Sequence, residues 1–464
     1  MASLTEAVAV LFNHSPMKLR LYTADWVLPV TSPPIHGGAV AIDTRRIVFV
    51  GSQAEAASRV DLAEAENVSL GRAAILPGFV NVHSHLELTV MRGFLEDLQF
   101  REWIQKLTRV KYEQLTADEL VASALLGTAE ATRAGITTLA DTGDTDSAFK
   151  ALLESGLRGI AYREVFGPDP ADATKSLEGL KSKVAAMRER ATEKVRVGVS
   201  PHAPYTASGD LFRRATEYAR QESLDVCIHT AESESEQRMM VSGDGEFVEA
   251  LQARGIPWQT PGVSTIQYLD SIGVLEASPL LVHCVKADAA DIELIARSGS
   301  RVAHCPKSNA KLGHGIAKLR QMLDAGVTVG LGTDSVASNN RCDLIDEMRF
   351  CGLIHRAESQ DFRWPSPDRL LKLATLDGAR ALGLESEIGS LEPGKQADLI
   401  AIDLARTHNT PVHDPTAAIL FSADTSDVRL TIVGGEVLFD GGEVKSIDEA
   451  GLRETVTRAL TRMS

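Results

Sequence analysis

His83 and His85, in LPGFVNVHSH, are the residue pair of this sequence best suited to chemistry. They close an apolar run, and alternate side chains on a strand share a face, so both imidazoles point the same way. Two neutral imidazoles so placed can chelate one divalent ion. Two hydrogen-bonded histidines at a strand end would look the same, so the pair needs company. It has company: of twelve histidines, six close apolar runs of this kind, namely His83, His85, His202, His229, His283 and His304. Asp334 closes another, in GLGTDS. Glu232 follows His229 by three residues, where a carboxylate can face the same ion without binding it, whereas Glu234 and Glu236 read as solvated acids of a charged run. Cys227, Cys284 and Cys305 lie on the same runs. Adjacent strand residues face opposite sides, so Cys284 and Cys305 are expected to point away from a site that holds His283 and His304, and core packing is the expected role of all three thiols.

Positioning these groups falls to eight strand-like runs, at 74–85, 135–144, 156–167, 194–205, 224–233, 279–285, 301–309 and 327–335. Each is too apolar for a half-exposed strand. Helix-like stretches such as TADELVASALLGTAEATRAG and TKSLEGLKSKVAAMRERATEK separate them, with apolar residues at three and four spacing. The alternation predicts an α/β fold, a closed (β/α)8 TIM barrel whose active site lies at the C-terminal strand ends. The histidines gather at those ends. Residues 234–278 are long enough to hold extra elements over the barrel mouth.

The two ends of the chain read differently. Residues 18–75 and 389–445 are strand-like and punctuated by Pro and Gly, and neither makes a complete domain. Together they predict a small β-sandwich domain assembled from both termini. The expected division is 1–73 for the first part of the sandwich, 74–388 for the catalytic barrel, and 389–464 for the rest of the sandwich with a terminal helix at 447–463.

Composition removes several classes. With 44% hydrophobic and 24% charged residues the chain is an ordinary globular one. Its net charge of −15 argues against nucleic acid or an anionic membrane as partner. No apolar run approaches the length of a membrane span. The opening MASLTEAVAV lacks the basic start of a signal peptide, and five cysteines with no CxxC pair suit free thiols in a reducing, cytoplasmic setting.

The segments LPGFVNVHSH, SPHAPYT, HTAES, LVHC, HCPKSN and GTDS, in this order, resemble the amidohydrolase superfamily, and within it the mononuclear metal-dependent deaminase and chlorohydrolase branch. That branch includes adenosine-type, S-adenosylhomocysteine and aminofutalosine deaminases. GSLEPGKQADLIAID is similar to part of that superfamily's split β-sandwich, and the resemblance spans about residues 18–445. It implies that His83, His85, His229 and Asp334 are metal ligands, that Glu232 shuttles the proton, and that His283 stands beside the attacking water, making Glu232, His283 and Asp334 the catalytic set. Independently, the fourth run ends in Ser-Pro-His with no lysine available as a bridging carbamate, which favours one divalent ion per chain. Zn is the first choice, and Fe and Mn also suit imidazole and carboxylate donors.

For the substrate, the resemblance implies contacts from His202 in SPHAPYT, and from Arg92 and Glu113 near the ribose of an adenosine-type substrate. Glu87 in HSHLE departs from the commonest adenosine-deaminase pattern and resembles aminofutalosine deaminases. His314 in KLGHG stands where the family more often has a small residue. The expected activity is hydrolysis of a carbon–nitrogen bond other than a peptide bond, namely deamination of an adenine nucleoside or related purine-like heterocycle. A chlorohydrolase or N-alkylaminohydrolase on triazine-like rings is the alternative, and Glu232 speaks against it, since a leaving group that needs no proton can dispense with that carboxylate. A non-catalytic scaffold would have lost ligands that are all present here. The expected partner is a small heterocyclic substrate, and a homo-oligomer accords with the resemblance.

Overall fold

The structure is a computed structural model that describes residues 19–463. The reading of the opening ten residues as lacking a leader therefore lies outside the described residues.

Eight parallel strands pair side by side in chain order: Phe79–Ser84, Ile136–Gly143, Arg158–Val165, Val195–Pro201, Asp225–Thr230, Leu280–His283, Arg301–His304 and Thr328–Leu331. The eighth meets the first through one parallel bridge between Ser84 and Asp334, where the Asp334 N–H donates to the His83 carbonyl at 3.0 Å. The barrel is thus sewn shut at residues that the sequence marked for metal binding. Gly332 lets the strands approach there, because a Cβ would stand 2.9 Å from that of His83. Helices between the strands cover the outside. Ala117–Arg133 starts on a capping box, with Thr116 accepting from the Glu119 N–H and the Glu119 carboxylate accepting from the Thr116 N–H.

Inside the barrel, Val80, Val82, Ile160, Tyr162 and Val282 pack with Cys227, Ala303 and Cys305. The expected orientation of Cys305 is therefore reversed. Cys305 and Ala303 face the interior, and His304 between them turns outward, as the strand pleat demands. Cys284 lies on the outer side, with the barrel helices.

The chain ends build one mixed nine-stranded sheet. Ala73–Pro77 pairs antiparallel with Leu399–Asp403, joining the N-terminal strands to the C-terminal ones. Alternation divides this pair between two cores: Ala73, Ile75, Leu399 and Ala401 face a small core within the sheet domain, while Ala74, Leu76, Ile400 and Ile402 face the barrel. Burial on both faces is why the run reads as continuously apolar. The run at 74–85 is two strands in two sheets, broken at Gly78, where a Cβ would lie 2.1 Å from Thr137 Cγ2. The strand Ala73–Pro77 thus belongs to the sheet built by the chain ends. The terminal helix Glu449–Ala459 packs on Ala117–Arg133 of the barrel, tied by Arg133 Nε donating to Glu449 Oε1 at 2.7 Å. A buried bidentate pair, Arg158 with Asp398 at 2.9 and 3.2 Å, pins sheet to barrel. Among the described residues no helix is long and apolar enough to cross a membrane.

Candidate active site

At the C-terminal mouth of the barrel the nitrogens of His83, His85 and His229 converge, with one donor atom from each within 4.8 Å of the others. His85 Nε2 and His229 Nε2 are 3.4 Å apart, and Asp334 Oδ1 lies 3.4 Å from His83 Nε2 and 3.5 Å from His85 Nε2. With metal–nitrogen distances near 2.0–2.1 Å, two donors of a tetrahedral site stand about 3.3–3.4 Å apart. These donors are too far for good hydrogen bonds and near the right distance for sharing one ion. His83 gives a sharper test: it is fully buried, and neither of its ring nitrogens has a hydrogen-bond partner. A polar group stranded in that way costs about 1–3 kcal/mol unless something satisfies it. A divalent cation among these four side chains would satisfy His83 Nε2, and the donor set fits one.

Local structure fixes each donor. Asn81 Oδ1 accepts from the Thr333 N–H at 3.0 Å and from the His83 N–H at 3.3 Å, tying the first strand to the end of the eighth. Asp141 Oδ2 accepts from Ser84 Oγ at 2.9 Å and from the Leu86 N–H at 2.7 Å, which sets the turn after His85. Asp334 holds a left-handed φ of 57°, and its Oδ2 accepts from Ser308 Oγ at 2.5 Å and Ser338 Oγ at 3.1 Å. That leaves Oδ1 aimed at the histidines. Burial alone would push the Asp334 carboxyl up, yet His83, His283 and His85 around it hold it well below its ordinary range. Burial pushes His85 down to about 3, the neutral form that a ligand needs.

Glu232 sits beside this cluster, 4% exposed. Its Oε1 is 3.6 Å from His283 Nε2 and 3.3 Å from His314 Nε2, and its Oε2 accepts from Tyr205 Oη at 3.4 Å. Burial raises its pKa, but His283 and His314 more than offset this, so the carboxyl lies below its ordinary range. His283 holds φ at 72°, and its Nδ1 is 2.9 Å from Asn309 Oδ1, which presents Nε2 to Glu232. Glu236 is fully buried rather than solvated, as the sequence suggested. Its carboxylate accepts from the N–H groups of Ala231 and Glu232, each at 2.8 Å, and from Thr265 Oγ1 at 2.6 Å. It fixes the loop that presents Glu232. Glu234 is exposed and pairs with Lys286, as read.

His85, His229, Glu232, His283 and Asp334 face a cavity of about 530 Å³. One wall is the helix Phe100–Glu113, whose Phe100, Trp103, Ile104, Leu107 and Lys111 face inward at helical spacing. Phe247, on Glu246–Ala253 within the long segment expected over the mouth, stacks on Tyr205 at 4.3 Å between ring centroids. The other wall is acidic. Lys111 donates to Glu87 and Asp144, Thr145 donates to Glu87, and Tyr112 Oη donates to Asp144 at 2.6 Å. Glu164 lies 3.9 Å from His202 Nε2, and burial, partly relieved by Lys111, pushes its carboxyl well above the ordinary range. His202, lowered to about 4 by burial, lines the cavity with Nδ1 2.8 Å from Thr206 Oγ1.

Of the residues singled out in the sequence, His83, His85, His229, Asp334, Glu232, His283, His202 and Glu87 come together here. Arg92 and Glu113 do not. Arg92 pairs with Glu130 and donates to the Asn340 carbonyl on a different face, because its turn after Met91 directs it away from the mouth. Glu113 ends its helix exposed, and Lys111, two residues earlier, reaches inward instead. His304 points out of the barrel. Tyr205, His314, Lys111 and Glu164 are cavity or Glu232 contacts that sequence reasoning missed. Tyr205 lies within SPHAPYT and His314 was noted as unusual, but nothing in the pattern marked Glu164 or Lys111.

Residues 74–438 match the amidohydrolase family. The 5-methylthioadenosine/S-adenosylhomocysteine deaminase of Moorella thermoacetica is 32% identical over 437 residues, covering 94% of this chain and 97% of that protein. A 5′-deoxyadenosine deaminase of Methanosarcina mazei is 33% identical over 434 residues, covering 92% of this chain and 94% of its own length. Among solved structures, an adenosine deaminase from Xanthomonas campestris with bound zinc matches with a TM-score of 0.84 at 29% identity, covering 96% of this chain and 98% of that one.

Proposed function

The chain belongs to the amidohydrolase family, and from that premise we propose that it is a zinc-dependent hydrolytic deaminase of an adenine nucleoside. The observation that carries this reading is the placing of Glu232, wedged between His283 and His314 at the edge of the His83–His85–His229–Asp334 cluster and open to the cavity. A divalent cation, when held by those four residues, makes water a nucleophile at neutral pH. Glu232 takes the proton of the attacking water and delivers it to the ring nitrogen next to the amino-bearing carbon, which makes that carbon electrophilic. His283, anchored through Asn309, presents Nε2 to the oxygen as charge grows on it. Asp334, with Oδ2 occupied by two serine hydroxyls, keeps Oδ1 for the cluster. Glu232 then takes the proton of the newly added hydroxyl and passes it to the departing nitrogen, which leaves as ammonia while the C–N bond breaks and the carbonyl forms.

The cavity walls narrow the substrate. Phe100, Trp103, Ile104 and Leu107 offer an apolar surface to a base or an apolar substituent. Glu87 and Asp144 carry two negative charges against the single lysine between them, a setting that accepts hydroxyl donors and repels phosphate. A nucleoside rather than a nucleotide fits that wall. Similarity at 32–33% identity to proteins named as adenine-nucleoside deaminases favours deamination over displacement of a halide.

The test is ammonia release by metal-analysed protein from adenosine, 5′-deoxyadenosine derivatives, S-adenosylhomocysteine, aminofutalosine, guanine and cytosine. Turnover confined to adenine nucleosides, and abolished in Glu232→Gln, is the expected result. No turnover of any of them by folded, zinc-loaded protein would sink this reading.

A further inference from the structure

Behind the seventh barrel strand lies a second group of metal-type donors that the cavity does not reach. His304 ends the strand Arg301–His304 and turns outward, and Cys351 and His355 stand one turn apart on the facing helix Leu344–Ser359. Residues four apart on a helix share a face. One donor atom from each of the three lies within 4.8 Å of the others, and the two Nε2 atoms are 3.2 Å apart. That is close to the spacing of about 3.3–3.4 Å for two nitrogens bound to one tetrahedral zinc.

The surroundings suit a ligand set. All three side chains are buried. His355 Nδ1 faces Glu358 Oε2 at 3.4 Å, the arrangement by which a carboxylate fixes an imidazole so that its other nitrogen can ligate. Trp364 packs edge-on against His355, with centroids 5.8 Å apart. We propose that His304, Cys351 and His355 form a second metal site, structural rather than catalytic, for a thiophilic divalent ion of which Zn²⁺ is the representative. Thiolate with two imidazoles selects such an ion over Mg²⁺ or Ca²⁺. On binding, Cys351 gives up its thiol proton to solvent and the sulfur takes the ion in its place.

Its role follows from what comes next in the chain. Ser308 and Asn309, four and five residues beyond His304, hold Asp334 and His283. An ion bridging His304 to Leu344–Ser359 clamps the root of that segment against the helix, and so steadies two groups of the candidate active site from behind.

Zinc K-edge absorption on protein purified from zinc-supplemented cells tests this, alongside metal counting. We expect a sulfur scatterer at about 2.3 Å and two zinc ions per chain. Cys351→Ser removes the sulfur shell and one zinc. His355→Asn serves as the second variant should the serine protein fail to fold, with the same expected loss of one zinc. A shell of nitrogen and oxygen alone in the native protein would overturn the proposal and leave a hydrogen bond between two imidazoles. A sulfur shell that survives Cys351→Ser would overturn it too. The sulfur shell decides, so an empty barrel-mouth site lowers the count without touching this result.

Discussion

The floor and the walls of the cavity are built on different plans. The floor, His83, His85, His229, Asp334, Glu232 and His283, comes from strand ends and the turns just past them, and buried partners such as Asn81, Asp141, Ser308 and Glu236 hold it. The walls come mostly from outside the strands, Phe100, Trp103 and Lys111 from one helix and Glu87 from the turn after the first strand, with Glu164 on a strand end opposite and Asp144 paired to Lys111. Chemistry that needs donors placed within a fraction of an ångström sits on the rigid barrel. Recognition sits on elements that can change without disturbing it.

Breaking the floor should therefore cost turnover, and breaking the walls should cost affinity or pH behaviour. The largest effect is expected from His229→Ala, which takes one donor from the cluster. Zinc per chain should fall together with ammonia release, the latter to the detection limit. Glu232→Gln should keep its zinc and lose about 10²–10⁴-fold in kcat, the range for a lost general acid–base. An equal loss in a mutant that had also shed its zinc would blur floor and shuttle into one role.

Wall substitutions come next. Lys111→Met leaves the buried Glu87 and the half-buried Asp144 without their cation, so urea unfolding should show about 3 kcal/mol less stability. Trp103→Ala should raise KM for an adenine nucleoside about tenfold, equal to about 1.4 kcal/mol, with kcat within a few-fold. A fall in kcat as large as that of Glu232→Gln would erase the distinction between wall and floor.

The smallest effect concerns pH. The folded Glu164 carboxyl titrates well above its ordinary 4.5, because burial disfavours the anion. The folded state then holds a proton that the unfolded state has released, so this residue's contribution falls as pH rises from 4.5 toward the folded value. Glu164→Gln removes that dependence. Its melting temperature should match the native protein below pH 4.5 and exceed it increasingly above. Parallel curves for the two proteins would show Glu164 ionised in the fold.

The floor was legible in the sequence because strands impose a period of two and the barrel brings every strand end to one rim. His83 and His85 could be read as co-facial from spacing alone, and the motifs around His229, His283 and Asp334 completed the set. The same rule failed where it lacked a reference. Of the neighbours His304 and Cys305 one must face in, and periodicity does not say which; the structure puts Cys305 inside and His304 against His355. Glu236 looked solvated because it follows two other acids, yet the fold turns it under the loop to accept two backbone N–H groups.

By itself, then, the sequence determined the barrel, the sheet shared by both chain ends, and the residue types at the strand ends, since apolar periodicity and strand-end position are local properties. Only the tertiary structure decided that Lys111 and not Arg92 or Glu113 reaches the cavity, that Tyr205 and His314 flank Glu232, and that His304 meets Cys351 and His355. These are contacts between segments far apart in the chain. They follow from how helices dock on the barrel, which depends on the packing of whole surfaces rather than on the spacing within any one segment.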